Sequence, residues 1–210
     1  GGLPTASDSL NITESEATVT YGTDLATGVV ASPSGNVSFT GIHIINLSGD
    51  AAGSLTVNGT NANDAINQNG NTVTVNDAAV VNFTAYPTLN LNGNNGDDVN
   101  SIRPATLIGV ATINVNGNDP TASDTVIVIG TSGTDTVGID MLTLDGARVT
   151  GLGPNVNIAT AERLTYSGLG GGDTLTVNTP ATDTNILITP GIAPDAGSVQ
   201  VDSLVPMSFQ

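Results

Sequence analysis

The chain contains no cysteine and no tryptophan, and its only basic residues are three arginines, Arg103, Arg148 and Arg163. Without cysteine there are no disulfide staples and no thiolate metal sites. That absence does not fix the compartment, because a secreted bacterial protein of this size can do without disulfides. Three basic groups against 19 acidic ones give a net charge of −16. Nucleic acid and anionic lipid surfaces both need a basic footprint, so neither is an expected partner. No run approaches the roughly 18 apolar residues of a membrane helix, so no membrane insertion is expected. Aromatic residues make up 3% of the chain, too few for a core built around Phe and Trp. Long helix formers are scarce, and no window carries a sustained 3.6-residue apolar rhythm. The chain opens Gly1-Gly2-Leu3 with neither Met nor a signal peptide, as expected of a mature product, a fragment or an expression product.

Thr is the commonest residue, with Asn close behind. Thr and Val favour extended backbone, whereas Gly, Asn, Asp and Pro favour turns. The expected fold is therefore all-β. The stretch Arg163 to Val177 sets the pattern: Leu164-Thr165-Tyr166 and Thr174-Leu175-Thr176-Val177 alternate as half-buried strands do. Between them Gly168, Gly170, Gly171 and Gly172 lead to Asp173, and glycine's tolerance of positive φ lets the chain fold back.

The rest of the chain repeats that arrangement imperfectly. Gly59–Ile66 aligns with Gly130–Val137, Leu89–Asp98 with Leu164–Asp173, and the Ile113–Gly117 segment with Ile186–Ile188. Residues 59–129 and 130–210 thus read as two long units preceded by a half unit at 36–58, with residues 1–35 as capping strands or a partial repeat. Inside each unit, strand endings on glycine suggest a parallel β-solenoid with coils of about 20–25 residues. Its glycine turns at 93–98, 117–124, 146 and 168–173 would stack along one corner, with Thr and Asn ladders beside them. Tandem β-sandwich modules are the alternative, since their strands also alternate and their turns are also rich in Gly and Asn.

The turns carry a resemblance. Gly168-Leu169-Gly170-Gly171-Gly172-Asp173-Thr174-Leu175-Thr176 is similar to the haemolysin-type (RTX) calcium-binding nonapeptide, G-G-x-G-x-D-x-U-x, with Leu169 at the second glycine. Residues 130–138 match with Thr131 there; residues 59–67 keep Gly59, Asp64 and Ile66; residues 93–101 keep Gly93, Gly96 and Asp98 but place Asn100 where an apolar residue belongs. The resemblance implies calcium between stacked turns, with Asp64, Asp98, Asp135 and Asp173 as ligands and Asp97 and Asp124 as helpers. It also implies a secreted or cell-surface bacterial protein. The motifs are divergent, standing singly rather than back to back. Plain turn chemistry, in which the aspartate closes the turn onto its own backbone, reads equally well.

Catalytic signals are few. The one histidine, His43, alternates with Ile42 and Ile44 and reads as an exposed residue. The arginines share no motif, and adjacent acids on a strand point apart. No active site is expected, which disfavours a solenoid polysaccharide-degrading enzyme. A carbohydrate-binding or adhesion module, with a cell-surface glycan as partner, has only Tyr21, Tyr86 and Tyr166 as sugar-stacking platforms. Five sequons, at Asn11, Asn36, Asn46, Asn58 and Asn82, are of the number that chance supplies in a chain so rich in Asn and Thr. The favoured expectation is a structural module of a surface layer, filament or adhesin stalk. Calcium would stiffen it against its own charge, and it would self-associate into a polymer or layer through an apolar C-terminal tail.

Overall fold

The computed structural model describes residues 7–24, 26–118, 123–181 and 185–210. Among the described residues the chain forms 21 strands, opening with β1 (Ser9–Thr13), β2 (Ala17–Tyr21), β3 (Thr27–Ser32), β4 (Gly35–Thr40), β5 (Ile44–Ser48), β6 (Ser54–Asn58) and β7 (Ala65–Gln68). There follow β8 (Thr72–Val75), β9 (Val80–Thr84), β10 (Thr88–Asn94), β11 (Val99–Ile102), β12 (Thr112–Asn118), β13 (Thr125–Ile129) and β14 (Thr136–Thr143). The last are β15 (Gly146–Thr150), β16 (Asn155–Ala159), β17 (Arg163–Ser167), β18 (Thr174–Asn178), β19 (Ile186–Pro190), β20 (Gly197–Val201) and β21 (Met207–Phe209). A 3-10 turn, Pro104–Thr106, interrupts the path between β11 and β12.

These strands build two large, mostly parallel sheets. Sheet A has the order β1-β5-β9-β8-β7-β11-β13-β17-β21-β20-β19, and sheet B the order β18-β14-β15-β16-β12-β10-β6-β2-β3-β4. The chain crosses repeatedly from one sheet to the other. Parallel neighbours therefore come from successive passes, as parallel pairing requires a long crossover. Antiparallel meanders interrupt this: β2–β3–β4 and β14–β15–β16 in sheet B, β7–β8–β9 and β19–β20–β21 in sheet A.

Alternation decides what is buried. In β10, Leu89 and Leu91 point inward while Asn90 and Asn92 point out. Parallel register then aligns Leu55, Leu89, Ile113 and Val156 in one inward column, and Val57, Leu91, Val115 and Ile158 in the next. All eight are buried within one continuous core cluster that draws on both sheets. Each such side chain contributes about 1.5–3 kcal/mol on burial. Aliphatic columns thus do the work that aromatic rings do elsewhere.

The all-β expectation holds, and two continuous sheets around one core take the place of separate sandwich modules. The spacing differs from expectation. Thr88 pairs with Thr112, and Thr112 in turn pairs with Asn155, a much longer step along the chain. A pass that includes a meander is longer, so the coils of about 20–25 residues expected from the glycine endings are not kept throughout. The unit boundaries expected at 58/59 and 129/130 fall at the ends of β6 and β13, and that at 35/36 falls at the start of β4. The stretch Leu164–Val177 is also not a hairpin: β17 lies in sheet A and β18 in sheet B, so its glycines turn a corner between sheets.

Candidate functional site

The Gly/Asp turns lie at the two kinds of corner. Where the chain passes from sheet B to sheet A it places Asp64 before β7, Asp98 before β11, Asp124 before β13 and Glu162 before β17. Where it passes from A to B it places Asp135 before β14 and Asp173 before β18. The single expected column of turns is therefore two columns. Gly146 belongs to neither, since it opens β15 in the β14–β15 hairpin. Of the 117–124 turn, residues 119–122 lie outside the described residues.

Within a column each acid binds its neighbour through the backbone. The Asp64 N–H donates to Asp98 Oδ1 at 2.8 Å, the Asp98 N–H to Asp124 Oδ1 at 2.8 Å, and the Asp124 N–H to Glu162 Oε2 at 2.7 Å. In the other column the Asp135 N–H donates to Asp173 Oδ1 at 2.9 Å. Every link runs the same way along the stack. Hydrogen bonds to a charged acceptor are worth about 1.5–3 kcal/mol each, so these ladders clamp one corner to the next. Glu162 completes the first ladder although no glycine motif precedes it. The legible signal was its place, an acid one residue ahead of a strand.

The glycine that opens each turn makes room for the aspartate. A Cβ on Gly93 would collide with Asp98 Oδ2, and Gly59, Gly117, Gly130 and Gly168 stand in the same relation to their own aspartates. The residue after that glycine then selects one of two chemistries. Thr60 donates its N–H to Asp64 Oδ2 at 2.6 Å and its hydroxyl to the same carboxylate; Thr131 treats Asp135 in the same way. Asn94 instead adopts positive φ (77°) and sends its amide to the Gly59 carbonyl. The Asp98 carboxylate, fully buried, therefore keeps Oδ1 bonded but has no hydrogen-bond partner at Oδ2 among the described residues. Burial, opposed by the Asp64 N–H and aided by the charges of Asp124, Asp64 and Asp97, pushes the Asp98 carboxyl up to about 6.

Asn100 sits two residues on, fully buried, with neither side-chain polar atom bonded among the described residues. It occupies an inward position in register with Ile66 and Val126, while Val99 faces out, 40% exposed. The motif position that called for an apolar residue is thus a core position.

Outside the corners, amide ladders are also one-directional but run the opposite way, each later asparagine donating to the earlier strand. Asn46 donates to Asn11 and Asn82 to Asn46 on sheet A. On sheet B, Asn92 donates to Asn58 and Asn116 to Asn92, while Asn90 donates to Thr56, Asn114 to Asn90 and Asn157 to Asn114. The sequon asparagines Asn11, Asn46, Asn58 and Asn82 are members of these ladders.

Calcium, which the motif resemblance implies, can be tested against these donors. Asp64 and Asp135 are filled by their own threonines. Asp98, Asp124 and Asp173 each receive an aspartate N–H, and exposed Asp97 receives the Ser123 N–H at 2.9 Å. Asp173 Oδ2 also takes the Tyr166 hydroxyl at 3.1 Å. Among the described residues no group of three or more His, Cys, Asp or Glu converges. An N–H aimed at each carboxylate suits a hydrogen-bonded ladder, and does not fit the cage of six to eight oxygens that calcium takes.

The chain matches no protein-family model, no curated protein and no solved structure.

Among the other candidate groups, the tyrosines and Arg148 are held by partners within the chain. All three tyrosine rings are buried, with Tyr21 donating to the Ala79 carbonyl, Tyr86 to the Glu14 carbonyl and Tyr166 to Asp173. They offer no exposed platform for a sugar ring. Arg148 forms an ion pair with Asp140 at 2.6 Å, and a hydrogen bond from Asn178 followed by that guanidinium holds the Asp140 carboxyl below its ordinary value. His43 is exposed, its Nδ1 accepting the Asp8 N–H at 3.4 Å.

Proposed function

We propose that this chain is a structural module of a secreted or cell-surface bacterial repeat protein, a stiff piece of a surface layer, filament or adhesin stalk. On this reading sheets A and B are opposite walls of a parallel β-solenoid. The observation that carries it is the set of one-directional ladders, carboxylate at the corners and amide on the faces, that ties each pass of chain to the next. The aspartates of the glycine turns take part in those ties, and the three tyrosine rings that a sugar-binding module would display are buried. A stack of ten or eleven strands at about 4.8 Å extends roughly 50 Å, so each chain acts as a spacer of defined length.

Small-angle scattering and negative-stain imaging test the shape. A rod with a long dimension of about 50 Å, the strand spacing summed over the stack, is expected. A near-spherical particle would remove the solenoid. Antibody labelling of intact producing cells tests the location, and signal only after lysis would contradict it. The ladders need no cation, so the melting midpoint in millimolar calcium should equal that in magnesium at matched ionic strength. A rise of several degrees specific to calcium would restore the metal role.

A further inference from the structure

Five asparagines stand immediately before a glycine: Asn58, Asn69, Asn92, Asn95 and Asn116. Such a step carries a reaction of its own. With no Cβ to screen it, the backbone nitrogen of the glycine can reach the carbonyl carbon of the asparagine side chain. What the fold does with the amide and with the glycine N–H decides whether it gets there.

Three of the five are locked. Asn58, Asn92 and Asn116 stand in register on β6, β10 and β12, and their amides donate to Thr20, Asn58 and Asn92 in turn. Gly59, Gly93 and Gly117 behind them are buried against their aspartates, and the Gly59 N–H donates to the Asn92 carbonyl at 2.7 Å. Asn69 is exposed at the β7–β8 turn, but Thr106 Oγ1 holds the Gly70 N–H at 2.7 Å. Asn95 differs from all four. It is exposed, and among the described residues neither its side chain nor the Gly96 N–H has a hydrogen-bond partner.

We propose that Asn95 is a site of spontaneous modification, converting to isoaspartate and aspartate through a cyclic imide. The Gly96 nitrogen gives its proton to hydroxide and bonds to Asn95 Cγ, and the amide nitrogen leaves as ammonia. Water then opens the imide at either carbonyl. One opening restores the main chain with an aspartate at 95. The other leaves the main chain running through the side-chain carbonyl, one methylene longer. The corner has no room for that extra atom. Gly96, at φ 120°, lies so close to the corner beneath it that a Cβ there would come within 2.6 Å of the Ala62 carbonyl carbon. The next residue ties the same two corners together, its N–H donating to Asn63 Oδ1 at 2.9 Å. Isoaspartate at 95 therefore pulls Asp97 off Asn63 and loosens one coil from the next. Either product also adds a carboxylate beside Asp97 and Asp98 in a chain already at −16.

This chemistry goes beyond the structural role proposed above and does not depend on it. The test is to age the 210-residue chain for weeks at mildly alkaline pH, digest it with pepsin in acid and quantify each Asn-Gly step by peptide mass spectrometry. Attack at the other four steps must first break a hydrogen bond, so Asn95 should convert at least about tenfold faster than any of them. Its rate should rise with pH, as removal of the Gly96 proton requires. In urea, where the ladders are gone, the five rates should converge. Uniform conversion of the folded chain, Asn69 leading, or an equal lead for Asn95 in urea would each overturn the assignment. Hydrogen exchange tests the consequence. The Asp97 amide should lose protection in the aged chain but keep it in Asn95→Gln aged alongside, and equal protection in the two would show that the corner tolerates the product.

Discussion

At the scale of single residues, two buried polar groups act against stability. Asn100 stands between Ile66 and Val126 with its amide unbonded among the described residues. Leaving a buried polar group without a partner costs about 1–3 kcal/mol. Asn100→Val should therefore raise the unfolding free energy by about that amount in urea titrations, and a destabilised variant would show that the amide has a partner after all. Asp98 adds a pH dependence. Its folded carboxyl titrates at about 6 against an ordinary 3.8, so between those values the folded chain holds more protons than the unfolded one. Stability contributed by this group is full below about pH 4, declines as pH rises to about 6 and is flat beyond. Asp98→Asn keeps the Oδ1 acceptor and removes the titration. The difference between native and variant stability should widen in the variant's favour from pH 4 to pH 6. Parallel curves across that window would contradict the assignment.

At the scale of elements, the corners and ladders make separable contributions. Gly170 and Gly171 both have positive φ (93° and 101°), but a Cβ at 171 would strike the Gly133 backbone, whereas one at 170 meets open space. Gly170→Ala should cost only the left-handed strain of about 1–2 kcal/mol. Gly171→Ala should cost a further 1–3 kcal/mol or so by forcing the 168–173 corner off the one beneath it. Equal melting points for the two variants would deny the stacking. On the sheet face, Asn114→Ala strands the Asn90 acceptor and the Asn157 donor at once. A loss of about 1–2 kcal/mol is expected by chemical denaturation. An unchanged denaturation midpoint would make the amide ladder ornamental.

At the scale of the molecule, charge is the main opponent of the stack. With 19 acids and three arginines in one chain, self-repulsion acts at every temperature. Raising NaCl from about 10 to 150 mM shortens the Debye length from about 30 to 8 Å, and the melting midpoint should rise by several degrees. Magnesium or calcium chloride at equal ionic strength should do no better. The ladders lower the need for a counter-ion at the corners by giving the inward carboxylates N–H donors. The exposed acids are left to solvent and salt.

The sequence by itself determined what depends on neighbours along the chain. Alternation in segments such as Thr88–Asn92 set strand and face together, and glycine followed by a buried aspartate marked the corners. It also placed an ill-fitting polar residue at 100, because motif phase and strand phase agree there. Only the tertiary structure decided what depends on which strand lies beside which. Asp64, Asp98 and Asp124 form one column and Asp135 and Asp173 another, because the first three stand where the chain passes from sheet B to sheet A and the other two where it passes back, while meanders make the passes unequal in length. No local pattern encodes those lengths. The same holds for the aspartates' contacts: a carboxylate after a glycine turn suits calcium or an amide equally, and only the fold brings the preceding corner's N–H, from a distant part of the chain, onto Asp124 and Asp173.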